Sequence, residues 1–342
     1  MLDDIYEIIW EPLRDQISNV KNIFFAPAGN IHIIPIESAF FDNKRIGDIY
    51  NVYRLSSTRQ LVDKKTESQL NSAVLYGGLS YDAKIEDVGN ANSSLNMTAV
   101  TNPYMERYPF DNNESPQYLP STKEEVEEVY NILSKTMNVS KYMNCDGTEE
   151  SFKAISGQSV NLLHISTHGF FWKNEVSIKN NNLKRLVDKY AQSEDKALSR
   201  SGLYFSGVNN YLQNHDIPNN MEDGILTAHE ISKIDLHNLN IVVLSACQTG
   251  LGDLKCDGVF GLQRGFKKAG AKTLLMSLWR VNDIATKLLM VEFYRNYLSG
   301  NGKQESLRLA QSYVRDYTDE KGNKLFESPY YWAGFILLDA LD

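Results

Sequence analysis

Only three cysteines occur in the 342 residues, Cys145, Cys247 and Cys256, and no two stand at a CxxC spacing. That scarcity excludes a disulfide-built scaffold and leaves three free thiols in a reducing compartment, where the question becomes reactivity. Basic charge is not in excess either: 35 Lys and Arg stand against 43 Asp and Glu, a formal net charge of −8. Binding along a nucleic-acid backbone needs clustered cations, and only pairs such as Lys64-Lys65 and Lys267-Lys268 are present, so no nucleic-acid partner is expected. No run approaches the roughly twenty apolar residues that cross a bilayer. The opening Met1-Leu2-Asp3-Asp4 is acidic where a secretory leader is basic. A cytoplasmic protein without a membrane partner is the expectation. His, Cys and Asp show no metal-ligand spacing, Gly300-Asn301-Gly302-Lys303 lacks the spacing of a phosphate loop, and no GxSxG is found. No metal and no cofactor are therefore expected.

What is present is an ordinary core-forming content, 42% hydrophobic and 23% charged. Leu2, Ile5, Ile8, Ile9, Leu13 and Ile17 recur at helical spacing, which predicts one amphipathic helix over residues 2–18. Two apolar runs, 22–26 and 31–34, flank Pro27-Ala28-Gly29-Asn30 and read as a β-hairpin. A polar stretch over 56–72 follows. The chain thus divides into an N-terminal helix-plus-hairpin extension, 1–71, and a main domain, 72–342.

From residue 72 the pattern alternates. Apolar runs at 73–76, stopped by Gly77-Gly78, and at 160–166, 240–245, 273–279 and 330–338 read as strands. Residues 79–118 read as loop. Ser121 with Glu124 has capping-box spacing before Val126, Val129 and Ile132. Thr148 or Asp146 caps a second helix through Phe152 and Ile155. Asp257 caps another, carrying Val259, Leu262 and Phe266 and ended by Gly270. Two further helices cover 285–298 and 305–317. This is an α/β pattern, a mostly parallel sheet flanked by helices. A polar excursion at 173–222, with a short helix at 183–191 and a short strand at 203–205, interrupts it. Carrying Lys184-Arg185 and Arg200, it is a candidate for self-cleavage.

Reacting groups of parallel sheets gather at the carboxyl ends of strands. Here His168 leaves one strand just before Gly169, and Cys247 leaves another three residues before Gly250. A thiol and an imidazole at strand ends are the minimum for covalent acyl transfer. Glycine beside them lets backbone N–H groups turn toward a developing oxyanion. Alone, a Cys after an apolar strand is commonly a small core hydrophobe, and a His there a structural hydrogen-bonder. It is the coincidence of both in one domain that singles them out. His164 has the strand parity of His168 but lies deeper, and reads as structural.

The segments 162–169 (Leu-Leu-His-Ile-Ser-Thr-His-Gly) and 243–250 (Val-Leu-Ser-Ala-Cys-Gln-Thr-Gly) resemble the two signature segments of the CHAT family. These are caspase- and separase-like cysteine peptidase domains often found beside tetratricopeptide repeats. The likeness extends to Pro27-Ala28-Gly29-Asn30 through Pro35, to Leu119-Pro120-Ser121 with Glu124, and to residues 223–228 with Glu230. It also takes in Ser277-Leu278-Trp279 with Asp283, and residues 329–335. It implies a caspase-like fold and a thiol endopeptidase acting on a protein or peptide substrate through a thioester. In it His168 is the general acid/base, Cys247 the nucleophile, and the backbone N–H groups of Gly169 and Cys247 the oxyanion donors. Asp283, in a loop at the same sheet edge, would line the pocket for the residue before the scissile bond and favour Lys or Arg. The competing assignment makes Asp283 a helix cap. Cys145 and Cys256 match no catalytic position. The family's repeat array does not precede the domain, so a separate regulatory or repeat-containing chain is a candidate partner. A catalytically silent signalling or scaffolding domain is the alternative function.

Overall fold

The structure, a computed structural model, describes residues 2–42, 44–62, 70–95, 115–171, 198–213, 215–245, 252–255 and 258–341. Its strands are β1 (Asn22–Phe25), β2 (Phe40–Phe41), β3 (Lys44–Arg45), β4 (Asn51–Arg54), β5 (Ser72–Leu79), β6 (Asn138–Asn144), β7 (Leu162–Ile165) and β8 (Gly169–Phe171). After them come β9 (Ser201–Tyr204), β10 (Ile225–Thr227), β11 (Ile241–Leu244), β12 (Gly252–Lys255), β13 (Gly258–Gly261), β14 (Thr273–Ser277) and β15 (Phe335–Leu338). Every residue of β7, β11, β14 and β15 is buried. Such unbroken apolar runs suit a sheet covered on both faces. They form the middle of an eight-stranded sheet, ordered β1-β4-β15-β14-β11-β7-β5-β6. Neighbours are parallel except β14 and β15, which are antiparallel.

Alternation along each strand sends side chains to two separate cores. On one face Leu75, Leu162, Val243 and Leu275 meet the helices Pro120–Leu133, Asp283–Leu298 and Lys303–Asp316. On the other, Val74, Leu163, Val242 and Leu274 meet Phe152 of helix Glu149–Lys153 and Phe266 of helix Leu262–Lys268. The expected α/β sheet flanked by helices is what the chain forms.

Gly77 and Gly78 do not stop their strand; β5 runs through them. A Cβ on Gly77 would stand 2.5 Å from Val126 Cγ2 and 2.7 Å from the Thr122 carbonyl, so glycine lets helix Pro120–Leu133 approach. The Gly78 N–H donates to Thr122 Oγ1 (2.9 Å). That helix begins at Pro120 after Leu119, with no side-chain cap, so Ser121 is not the cap that its spacing suggested. Proline at the first position needs no partner for its nitrogen. The stretch expected to be loop, 79–118, contains a helix, Ile85–Asn92. Thr148 does cap its helix, accepting from Ser151 N at 3.0 Å.

The N-terminal hairpin is not formed. β1 pairs in parallel with β4, and residues 29–33 make a 3₁₀ turn. The cause is the buried Arg54. Its guanidinium donates to the carbonyls of Ile31, His32 and Ile34 and pairs with Glu37, holding that segment's acceptors away from any ladder. β4 then joins β15 at Arg54–Leu338, so the extension supplies two strands of the main sheet. Residues 2–17 are helical but in four pieces of changing pitch, with Pro12 in a 3₁₀ turn. Tyr6 and Trp10 are the buried pair, while Ile8 and Leu13 are exposed. Residues 258–261 are strand β13, paired with β12, so Val259 lies in a hairpin and the following helix starts at Leu262 after Gly261. Asp257 lies outside the described residues. Gly270, at φ +103, follows that helix as expected.

Candidate active site

β7 and β11 are adjacent and parallel, with Leu244 registered against Ile165. The chain leaves both at the same carboxyl edge, where Ser245 N donates to the Ile165 carbonyl (2.9 Å) and Ser166 N to the Tyr76 carbonyl (2.8 Å). His168 lies three residues beyond Ile165. Cys247 lies three beyond Leu244 in sequence, outside the described residues, as do Cys256 and residues 172–197. β14 ends at the same edge, and Arg280 and Asp283 there act electrostatically on the His168 ring.

His168 is half-buried. Its Nε2 lies 2.8 Å from the Gln117 carbonyl oxygen. A carbonyl only accepts, so Nε2 carries the hydrogen and the lone pair of the neutral ring sits on Nδ1. Burial holds the imidazole pKa below its ordinary value. Arg280 adds to that, while the Gln117 carbonyl and Asp283 oppose it. The ring is therefore a base at neutral pH. Beside it stands Tyr81, ring centroids 5.2 Å apart, with its hydroxyl 3.3 Å from the His168 amide nitrogen.

Gly169 opens β8, which pairs antiparallel with β9 in a three-stranded sheet completed by β10. Gly169 is registered against Leu203, and Tyr204 N donates to the His168 carbonyl (3.0 Å). Alternation of an antiparallel ladder then turns the Gly169 N–H away from β9.

Asp283 is exposed and is the first residue of helix Asp283–Leu298. The cap is its neighbour Asn282, whose side chain accepts from Ala285 N at 3.1 Å, so capping does not account for Asp283. The preceding Trp279 packs closely on Gly334, where a Cβ would stand 2.7 Å from the indole, and donates from Nε1 to the Tyr330 carbonyl. Two of the motifs noted in the sequence thus interlock.

His164 is fully buried, four residues before His168. It contacts Glu125 through Nε2 (3.0 Å) and Tyr294 Oη through Nδ1 (3.1 Å). Ser166 Oγ donates to the other oxygen of Glu125 (3.3 Å). Cys145 is half-buried, and burial first, then Asp87 and Asp146, push its thiol up, against reactivity.

The motif at 223–230 has a charge partner that the sequence did not reveal. Lys153 Nζ meets Glu149 (2.7 Å), Glu222 (2.8 Å) and Glu230 (3.1 Å), and it donates a hydrogen bond to Glu230. The three carboxylates have the spacing of cation ligands, and the ammonium is the cation they hold. Glu230 also completes a capping box with Thr227, and Glu149 accepts from Gly224 N. Gln117, Tyr81 and Lys153 escaped sequence reasoning. A main-chain carbonyl leaves no residue signature, and a tyrosine in a polar run or a lysine in a short helix carries no periodicity to read.

The CHAT domain family model matches residues 1–340. Among curated proteins the chain is 35% identical over 114 residues to tetratricopeptide repeat protein 28 of Mus musculus, and 33% identical over 118 residues to that of Homo sapiens. These matches cover 33% and 34% of this chain and 4% of each relative's length. Among solved structures, the Arg-specific cysteine proteinase gingipain R superposes with a TM-score of 0.50 at 9% identity, covering 98% of this chain and 66% of that one. A separase of Saccharomyces cerevisiae in complex with securin superposes with a TM-score of 0.49 at 11% identity, over 97% of this chain and 17% of that one.

Proposed function

Because this chain belongs to the CHAT domain family, we propose that it is a cysteine endopeptidase in which His168 and Cys247 act as a dyad. The observation that carries this reading is the state of His168. It is a half-buried imidazole at the carboxyl edge of β7, its Nε2 committed to the Gln117 carbonyl, its pKa held down by burial. β11, in register beside it, leads into Cys247. The caspase-like fold shared with gingipain R supports the reading.

The chemistry follows from the tautomer. The Cys247 thiol gives its proton to His168 Nδ1, and the sulfur attacks the scissile carbonyl carbon. Charge moves to the carbonyl oxygen, where the N–H groups of Gly169 and Cys247 receive it. The imidazolium returns the Nδ1 proton to the leaving nitrogen as the C–N bond breaks, giving a thioester. Water, deprotonated by the same nitrogen, attacks the thioester, and the released thiolate recovers the proton. Throughout, Gln117 keeps the ring from turning its protonated nitrogen toward the thiol.

Asp283 is the group proposed to favour Lys or Arg before the scissile bond. The proposed cellular setting is cytoplasmic, with residues 72–342 as the peptidase domain and 1–71 as an extension sharing its sheet. Since the chain spans 4% of relatives named for tetratricopeptide repeats, a repeat-containing chain is the proposed regulatory partner. The test is incubation with an Arg-bearing peptide electrophile followed by mass mapping. The expected adduct is on Cys247 and disappears in His168→Ala. Labelling confined to Cys145 or Cys256, or none at all, refutes the dyad and favours a silent scaffold.

A further inference from the structure

The chemistry proposed for His168 requires that its main chain be held in place. β7 ends at Ile165, and His168 lies between β7 and β8, where no ladder partner among the described residues takes its N–H. Tyr81, just beyond the glycine-bearing end of β5, fills that gap. It is 2% exposed, and burial pushes its phenol up to about 12, so it keeps its proton at any working pH. Its oxygen accepts from His168 N (3.3 Å) and lies 2.8 Å from Thr167 Oγ1. Thr167 Oγ1 lies 2.7 Å from the Tyr204 carbonyl, which only accepts, so the threonine hydrogen goes there. Tyr81 must then donate to Thr167. Every direction is fixed: His168 N–H to Tyr81 O–H to Thr167 O–H to the Tyr204 carbonyl. Tyr204 N–H returns to the His168 carbonyl (3.0 Å), so the bonds close a ring around one residue.

We propose that Tyr81 is the positioning residue of His168, its hydroxyl fixing the main chain through this closed ring of bonds and its tilted ring contact restraining the imidazole. The inference rests on the reading of His168 as acid/base, but the ring's orientation can be measured apart from turnover. A buried N–H without an acceptor favours any local rearrangement that finds one, and small misplacement of a reacting group is costly. Tyr81→Phe keeps the aromatic contact and removes the hydroxyl. It is expected to lower kcat about 10- to 100-fold with KM nearly unchanged. The His168 pKa should rise toward the ordinary imidazole value as the ring gains water, shifting the acid limb of the rate profile upward. Thr167→Val should act alike, Thr167→Ser should restore what Thr167→Val loses, and Tyr81→Phe/Thr167→Val should be no worse than either alone, because the ring is broken only once.

The measurement pairs steady-state kinetics on an Arg peptide with histidine NMR titration, the His168 signal assigned by its loss in His168→Ala. An unchanged His168 titration and kcat in folded Tyr81→Phe overturns the proposal. So does additivity of the two single variants. Should Tyr81→Phe fail to fold, Thr167→Val against Thr167→Ser decides. If the wild type hydrolyses no peptide, the peptidase reading fails, and the titration alone decides whether Tyr81 orients His168.

Discussion

His164 and His168 are four residues apart on one strand and its exit, yet their surroundings separate them completely. His164 is fully buried between Glu125 and Tyr294, its Nε2 lying 3.0 Å from a carboxyl oxygen and its Nδ1 in a hydrogen bond with the phenol. His168 is half-buried and spends one nitrogen on an uncharged carbonyl, leaving the lone pair on the other. A carboxylate partner inside the protein commits an imidazole to a structural contact that is costly to break. A carbonyl partner fixes the tautomer and, carrying no full charge, raises the pKa less than burial lowers it, which suits a group proposed to take up and release a proton. Between two like side chains, the partner's charge and the depth of burial decide which one is the better candidate for chemistry.

The sharpest way to break this comparison is at the shallower member. His168→Ala and Cys247→Ala should each reduce peptide hydrolysis by about 10³-fold or more, since a base and its nucleophile fail together. Thermal unfolding of His168→Ala should stay within a few degrees of wild type. Turnover near wild type in either variant would remove the dyad. Substituting the deeper histidine should give the opposite profile. His164→Ala leaves the Glu125 carboxylate buried beside an empty site and should cost on the order of 3–5 kcal/mol in denaturant unfolding. Its kcat per folded molecule should remain far above that of His168→Ala. Equal losses of activity in the two variants would erase the distinction.

How much of this could be read from the residues varies with the kind of contact. β7, β11 and β14 announce themselves because strands buried on both faces must be apolar throughout. The strand exits that lead to His168-Gly169 and toward Cys247 are legible because the apolar runs of β7 and β11 stop just before them. The N-terminal hairpin misled because Arg54 captures the carbonyls of 31–34 from a distance no local pattern encodes. Gly77 and Gly78 misled likewise, since their reason is a helix 45 residues away in sequence pressing on Gly77 at Val126 and Thr122, and on Gly78 at Lys123. The 223–230 motif was visible but Lys153 was not, and only the fold brings them into one cage.

The smallest expected effect concerns the two exposed charges that act on His168. Asp283 pulls its pKa up and Arg280 pushes it down. Because both side chains are exposed, water and salt screen them, and each contribution should shrink as ionic strength rises. Asp283→Ala is therefore expected to move the acid limb of the rate profile to lower pH, and Arg280→Ala to move it higher. Raising the salt from about 0.05 to 0.5 M should diminish both displacements. The histidine's folded pKa lies below its unfolded value, so the stability linked to it is complete above the unfolded pKa. That stability is lost as pH falls through the folded one. Asp283→Ala should carry the loss to lower pH in step with the rate profile. Specificity separates the two roles of Asp283. If it meets the substrate side chain, Asp283→Ala should weaken an Arg peptide's kcat/KM about 5- to 50-fold, leaving a Met peptide within about twofold. If it acts only through His168, both peptides should change equally. An Arg preference surviving intact in Asp283→Ala would leave this carboxylate a modest tuner of the imidazole. A wild-type preference for Asp would transfer the recognising role to Arg280.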